Sequence, residues 1–85
     1  MDTKRTVLNF FSRHGRKPLP DAETDALACS YLDMGIIDSL GIVTMISEFE
    51  NDLSIHFSAE DLQSYEFQTV GGLITLIDRL RAAKI

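Results

Sequence analysis

Ser39 stands where an irregular stretch, Gly35-Ile36-Ile37, gives way to a strongly patterned segment running from Asp38 to Glu50. Asp38 and Ser39 both favour helix N-termini, because a short side-chain oxygen there accepts a hydrogen bond from an unpaired backbone N–H. Beyond them Ile42, Met45, Ile46, Phe49 and Leu53 recur three or four residues apart, which is one face of a helix. Ser39 therefore belongs to the first turn, at the edge of that face rather than inside it. Free N–H groups and the positive end of the helix dipole make a first turn a place where a phosphate on, or held by, a serine is stabilised.

Other chemistries for this serine find little support. A catalytic nucleophile needs a base within hydrogen-bond reach and a group orienting that base. The chain has only His14 and His56, and the Gly-x-Ser-x-Gly pattern is not met, since Ile37 and Gly41 flank Asp38-Ser39-Leu40. In an arbitrary helical protein Ser39 would be a plain capping residue. His56 reads as a partly exposed histidine, and Cys29 as a small buried or half-buried filler without a partner for an internal disulfide. Two distant histidines and one cysteine lack metal-ligand spacing.

Gly35-Ile36-Ile37-Asp38-Ser39-Leu40, followed by an apolar helix in a chain of this size, resembles the attachment site of acyl and peptidyl carrier proteins. The resemblance covers residues 31–80. It implies that Ser39 carries a 4'-phosphopantetheine arm through a phosphodiester, and that Asp38 helps to position a metal ion while a separate phosphopantetheinyl transferase attaches it. It implies also a thiol-ended tether that delivers a thioester-linked cargo to several active sites, with no catalytic apparatus in the carrier itself. The implied partners are an acyl- or aminoacyl-loading enzyme, either an adenylating ligase or an acyltransferase, and a downstream synthase or transferase. Proteins of the fatty-acid type place acidic residues soon after the serine, whereas here Gly41, Ile42 and Thr44 follow and acidity begins at Glu48. A specialised acyl or aminoacyl pathway fits this departure better than primary fatty-acid synthesis, and carriers of D-alanine or of another adenylated amino acid are similar in this respect. The contrasting reading is a small helical interaction module with Ser39 unmodified.

The elements that must position Ser39 are few. Eighty-five residues make one domain, residues 1–85, and 45% apolar content suits a folded chain. No apolar run reaches the roughly 20 residues of a membrane span, and the N-terminus breaks into charge too soon for a secretory signal. A monomeric cytoplasmic protein is the expectation. Charge falls in blocks: net +4 over residues 1–20, −12 over residues 21–78 with no lysine or arginine, and +3 from Arg79, Arg81 and Lys84. The acidic block around Ser39 repels nucleic acid and would steer basic protein surfaces toward it.

Along the chain, residues 2–13 read as a first helix with Thr3 as N-cap and Val7, Leu8, Phe10 and Phe11 as its stripe. Gly15 would end it in a left-handed turn. Residues 16–37 form a long loop anchored by Leu27, Tyr31, Leu32, Ile36 and Ile37, with a short helical turn possible over residues 21–27. The second helix spans residues 38–53. At about 100° per residue, Leu40 and Val43 lie away from its core face, beside Ser39, Thr44 and Ser47. That makes Leu40, Val43, Thr44, Ser47, Glu48 and Asp52 the candidate partner surface, against the simpler reading that Leu40 and Val43 pack under the first loop. Ile55-His56-Phe57 alternates like a short extended piece. Ser58 with Asp61 resembles a capping box ahead of a short third helix over residues 59–64, and Tyr65 and Phe67 close the core. Thr69 caps a last helix with the stripe Val70, Leu73, Ile74, Ile77 and Leu80, where Gly71-Gly72 marks close packing or looseness and Arg79, Arg81 and Lys84 suit the negative dipole end. The sum is an all-α fold: a small antiparallel four-helix bundle, three main helices and one short, with a long first loop.

Overall fold

The computed structural model describes residues 2–83. Among them the chain forms α1 (Thr3–His14), α2 (Glu23–Leu27), α3 (Ser39–Leu53), α4 (Ala59–Gln63), a 3-10 turn (Tyr65–Gln68) and α5 (Val70–Ala82), with no strand. The all-α class and the three long helices are those expected, and the short helical turn read within residues 21–27 is present in the first loop as α2.

The core is built from the predicted helix faces. Val7, Phe10 and Phe11 of α1 meet Met45 and Phe49 of α3 and Leu73, Leu76 and Ile77 of α5, all buried in one cluster. Phe10 sets its edge against Phe49 with ring centroids 5.3 Å apart, a favourable geometry for aromatic pairs. Leu76, outside the expected α5 stripe, is fully buried while Ile74 and Leu80 are only partly so. The reason is that α5 is packed by α1, α2 and the 3-10 turn together, so more than one side of it is covered.

Several local details differ from expectation. The N-cap of α1 is Asp2, not Thr3. Thr3 is buried and its Oγ1 accepts a hydrogen bond from Arg81 Nη1 at 2.8 Å, tying the start of α1 to the end of α5. Gly15 follows α1 in extended conformation (φ −66°, ψ 138°) rather than left-handed. Its lack of a Cβ is used for space, since a Cβ there would run into the Phe11 carbonyl oxygen. Leu32 is exposed: tight turns over residues 30–35 direct Tyr31 inward and carry its neighbour out. Tyr65 is 83% exposed while Phe67 is buried. Residues two apart in a 3-10 turn sit about 120° apart around the axis, so they cannot both face the core.

The second half of the chain follows its caps. Ser58 Oγ accepts from Asp61 N at 3.1 Å and Asp61 Oδ2 accepts from Ser58 N at 2.8 Å, a complete capping box that starts α4. Ile55 and Phe57 are buried with His56 exposed between them. Thr69 Oγ1 accepts from Gly72 N at 3.0 Å and starts α5. Close packing is the role of the glycine pair. A Cβ on Gly71 would lie 2.9 Å from the Leu27 carbonyl oxygen, and one on Gly72 would overlap the Glu66 carbonyl. Glu66 in turn takes both Nη groups of Arg79, at 2.6 and 3.0 Å, which holds the 3-10 turn to α5 and keeps that guanidinium still more firmly protonated. Lys84, expected to finish α5, lies outside the described residues.

Candidate functional site

Ser39 is the first residue of α3 and is exposed. The cap is Asp38: its backbone is extended, and Oδ1 accepts from Gly41 N at 2.8 Å. Capping therefore does not occupy Ser39, which stands one residue inside the helix with its hydroxyl at the positive dipole end. The chain reaches this point over a firm support. Ile36 and Ile37 are buried directly before Asp38. Their N–H groups donate to the Tyr31 carbonyl at 3.0 and 3.3 Å, and the Ile36 carbonyl accepts from Arg16 N at 2.7 Å. No acidic residue lies in the first turn of α3, so an anion on Ser39 would meet only the Asp38 carboxylate nearby in sequence. That carboxylate is itself matched by a cation, with Arg16 Nη1 donating to Asp38 Oδ2 at 3.2 Å.

The two histidines are placed for other contacts. His14 stacks on Phe10 with centroids 4.7 Å apart, and its Nε2 lies 3.9 Å from Glu48 Oε1. His56 Nδ1 lies 3.3 Å from Glu50 Oε2. At about 1.5 Å of rise per residue, Glu48 and Glu50 sit roughly 13–17 Å along α3 from Ser39. Neither imidazole is positioned as a base for its hydroxyl. Ser39 is thus an exposed hydroxyl with neither imidazole beside it. Cys29 is buried, burial pushes its thiol up, and its Sγ lies 3.2 Å from Met34 Sδ. Among the described residues no group of three or more His, Cys, Asp or Glu could hold a metal ion.

The outer face of α3 is exposed at Leu40, Val43, Thr44 and Ser47. Leu40 is 79% and Val43 65% exposed, so neither packs under the first loop. Val43, Thr44, Ser47, Glu48 and Asp52 line one shallow groove, joined by Asn51. Asn51 escaped sequence reading, although its place four residues after Ser47 puts it on the same face. Glu48 is half-buried and clasped by Arg13, with Nη1 and Nη2 donating at 3.3 and 3.0 Å, so its charge is already offset within the molecule. Arg16 is the other residue that sequence reading missed. It was legible only as part of a basic block, because its contact with Asp38 spans 22 residues of loop.

Residues 19–77 match the family described as the phosphopantetheine attachment site, a span that holds Asp38, Ser39 and all of α3. The chain is similar to a D-alanyl carrier protein of Streptococcus equi subsp. zooepidemicus, 30% identical over 83 residues that cover 98% of this chain and 100% of the relative. The D-alanyl carrier protein of Streptococcus equi subsp. equi gives the same figures. D-alanyl carrier protein 1 of Lactiplantibacillus plantarum is 26% identical over 80 residues, 94% of this chain and 95% of its own. No described helix is long and apolar enough to cross a membrane.

Proposed function

This chain belongs to the phosphopantetheine-attachment family of acyl and peptidyl carrier proteins, and from that premise we infer that Ser39 is its attachment residue. The observation that carries this reading is the exposed Ser39 hydroxyl at the first position of α3, with the capping role taken by Asp38. The prosthetic group of the family, 4'-phosphopantetheine, supplies a terminal thiol that holds cargo as a thioester. The residues here suit it: Ser39 offers Oγ for the phosphodiester, α3 offers its N-terminal dipole, and Arg16 offers a nearby positive charge. Asp38, whose Oδ2 faces outward onto Arg16, is the carboxylate that would help position the metal ion used during modification.

Partner enzymes dock on the outer face of α3 through Leu40, Val43, Thr44 and Ser47, with Asp52 at its far end. The contact is more apolar near Ser39 than an acidic surface would make it, because Leu40 and Val43 are bare and Glu48 is held by Arg13. An adenylating ligase that loads an aminoacyl unit, followed by a transferase that removes it, is the favoured pair. The names of the relatives and the delayed acidity after Ser39 support D-alanine or a similar small amino acid as cargo, over the long acyl chains of primary fatty-acid synthesis.

Intact mass tests the attachment. Incubation with coenzyme A and a broad-specificity transferase should add one phosphopantetheine unit to the wild type and none to Ser39→Ala. An unchanged wild-type mass would leave an unmodified interaction module instead. Loading of the holo form by a D-alanine-adenylating ligase with ATP, and not by a fatty-acyl ligase, is the expected cargo result.

A further inference from the structure

We propose that Arg16 is the counter-ion of the phosphodiester on Ser39, shared between that group and Asp38; this rests on Ser39 being the attachment residue. The Asp38 carboxylate divides its oxygens, Oδ1 on the Gly41 N–H at 2.8 Å and Oδ2 on Arg16 Nη1 at 3.2 Å. Capping therefore does not depend on Arg16, and the guanidinium is held at the one face of Asp38 that the helix leaves over. Attachment puts a second negative charge on the adjacent residue, whose Cα is about 3.8 Å further along. Residues 21–78 contain no lysine or arginine, so cations for this spot must come from the chain ends. Among the described residues Arg16 is the cation that the fold delivers to Asp38. Its backbone N–H is fixed on the Ile36 carbonyl at 2.7 Å while its side chain is 68% exposed, an anchored base with a movable head. A guanidinium has five donors in a planar fork, enough for a carboxylate and a phosphate oxygen together. Lys17, the next residue, points elsewhere, with Nζ 3.5 Å from the Met34 carbonyl oxygen.

The test compares thermal unfolding of apo and holo forms of the wild type, Arg16→Gln, Arg16→Lys and Lys17→Gln at low and high salt, with intact mass read first. The apo proteins should melt within about 2 °C of one another, because the exposed pair contributes little by itself. On modification the wild type should hold its midpoint. Arg16→Gln should fall by about 3 °C at low salt, recovering at high salt and in Arg16→Lys. In the wild type the Arg16 side-chain N–H resonances should shift between apo and holo forms. Equal apo–holo differences in wild type and Arg16→Gln would overturn the proposal, as would an equal fall in Lys17→Gln, which would make the effect one of overall charge. A wild type that gains no mass would overturn the attachment reading itself, and this outcome is separate because it is seen before any melting.

Discussion

Asp38 performs two tasks with two oxygens, and substitution can separate them. Oδ1 caps α3 through Gly41 N, while Oδ2 carries the outward-facing charge next to Ser39. Asparagine caps as well as aspartate does, whereas alanine cannot cap. Asp38→Asn should therefore unfold in urea close to wild type, and Asp38→Ala should lose about 1 kcal/mol. Both should be modified more slowly by the transferase, as judged by the rate of mass gain, because both lack the carboxylate charge. If Asp38→Asn were modified at the wild-type rate, the charge would have no part in attachment. Ser39, Asp38 and Leu40 could be placed from sequence because capping and helix phase act over a few residues. Arg16 could not, since only the folded first loop brings it to Asp38.

Helix phase also made both faces of α3 legible, and the two faces predict opposite outcomes. Val43→Asp, on the exposed side, should change stability by no more than about 0.5 kcal/mol while slowing loading of the holo form by its partner ligase. Phe49→Ala, fully buried, should cost about 3–5 kcal/mol, enough to unfold a domain this small. Outside the α-helices there is no such phase to follow, and apolar character alone misplaced two residues: Leu32 in the turns before Gly35 and Tyr65 in the 3-10 turn were expected inside and lie outside. Helix phase itself fell short at Leu76, because no single-helix pattern reports that α5 is covered from several sides. Gly72 shows the same limit as a prediction. Propensity alone says that Gly72→Ala gains up to about 1 kcal/mol, but the new Cβ would meet the Glu66 backbone. A net loss of about 1–3 kcal/mol in urea unfolding is expected.

At the scale of the molecule, the charge blocks of the sequence fold onto one another. Cations from the chain ends pair with the acidic middle at Lys4–Glu23, Arg13–Glu48, Arg16–Asp38 and Arg79–Glu66. The −12 of residues 21–78 is thereby partly covered, which sequence reading of an acidic surface could not show. These pairs are exposed to differing degrees and each contributes little, so the assembly depends more on Tyr31. Its ring packs on Phe11 at 5.2 Å, its carbonyl accepts from Ile36 and Ile37 just ahead of the site, and its phenol donates to the Phe67 carbonyl. One residue thus joins α1, the first loop and the 3-10 turn. Burial raises the phenol above its ordinary value of 10.0. The folded state then keeps the proton when the unfolded chain releases it. This contribution is fully present below pH about 10 and is lost as pH rises beyond it toward the folded value. Cys29, also raised from 9.0 by burial, adds a loss of the same sign that begins about one pH unit lower. Tyr31→Phe should be less stable than wild type by about 1–2 kcal/mol at pH 7, since the Phe67 carbonyl loses its buried donor. It should also lose less of its stability between about pH 9 and 11, while Cys29→Ala removes only the earlier part of the decline. Urea midpoints of the three proteins across that range check it. Parallel decline in wild type and Tyr31→Phe would mean that the phenol is not the group whose proton holds these three elements together.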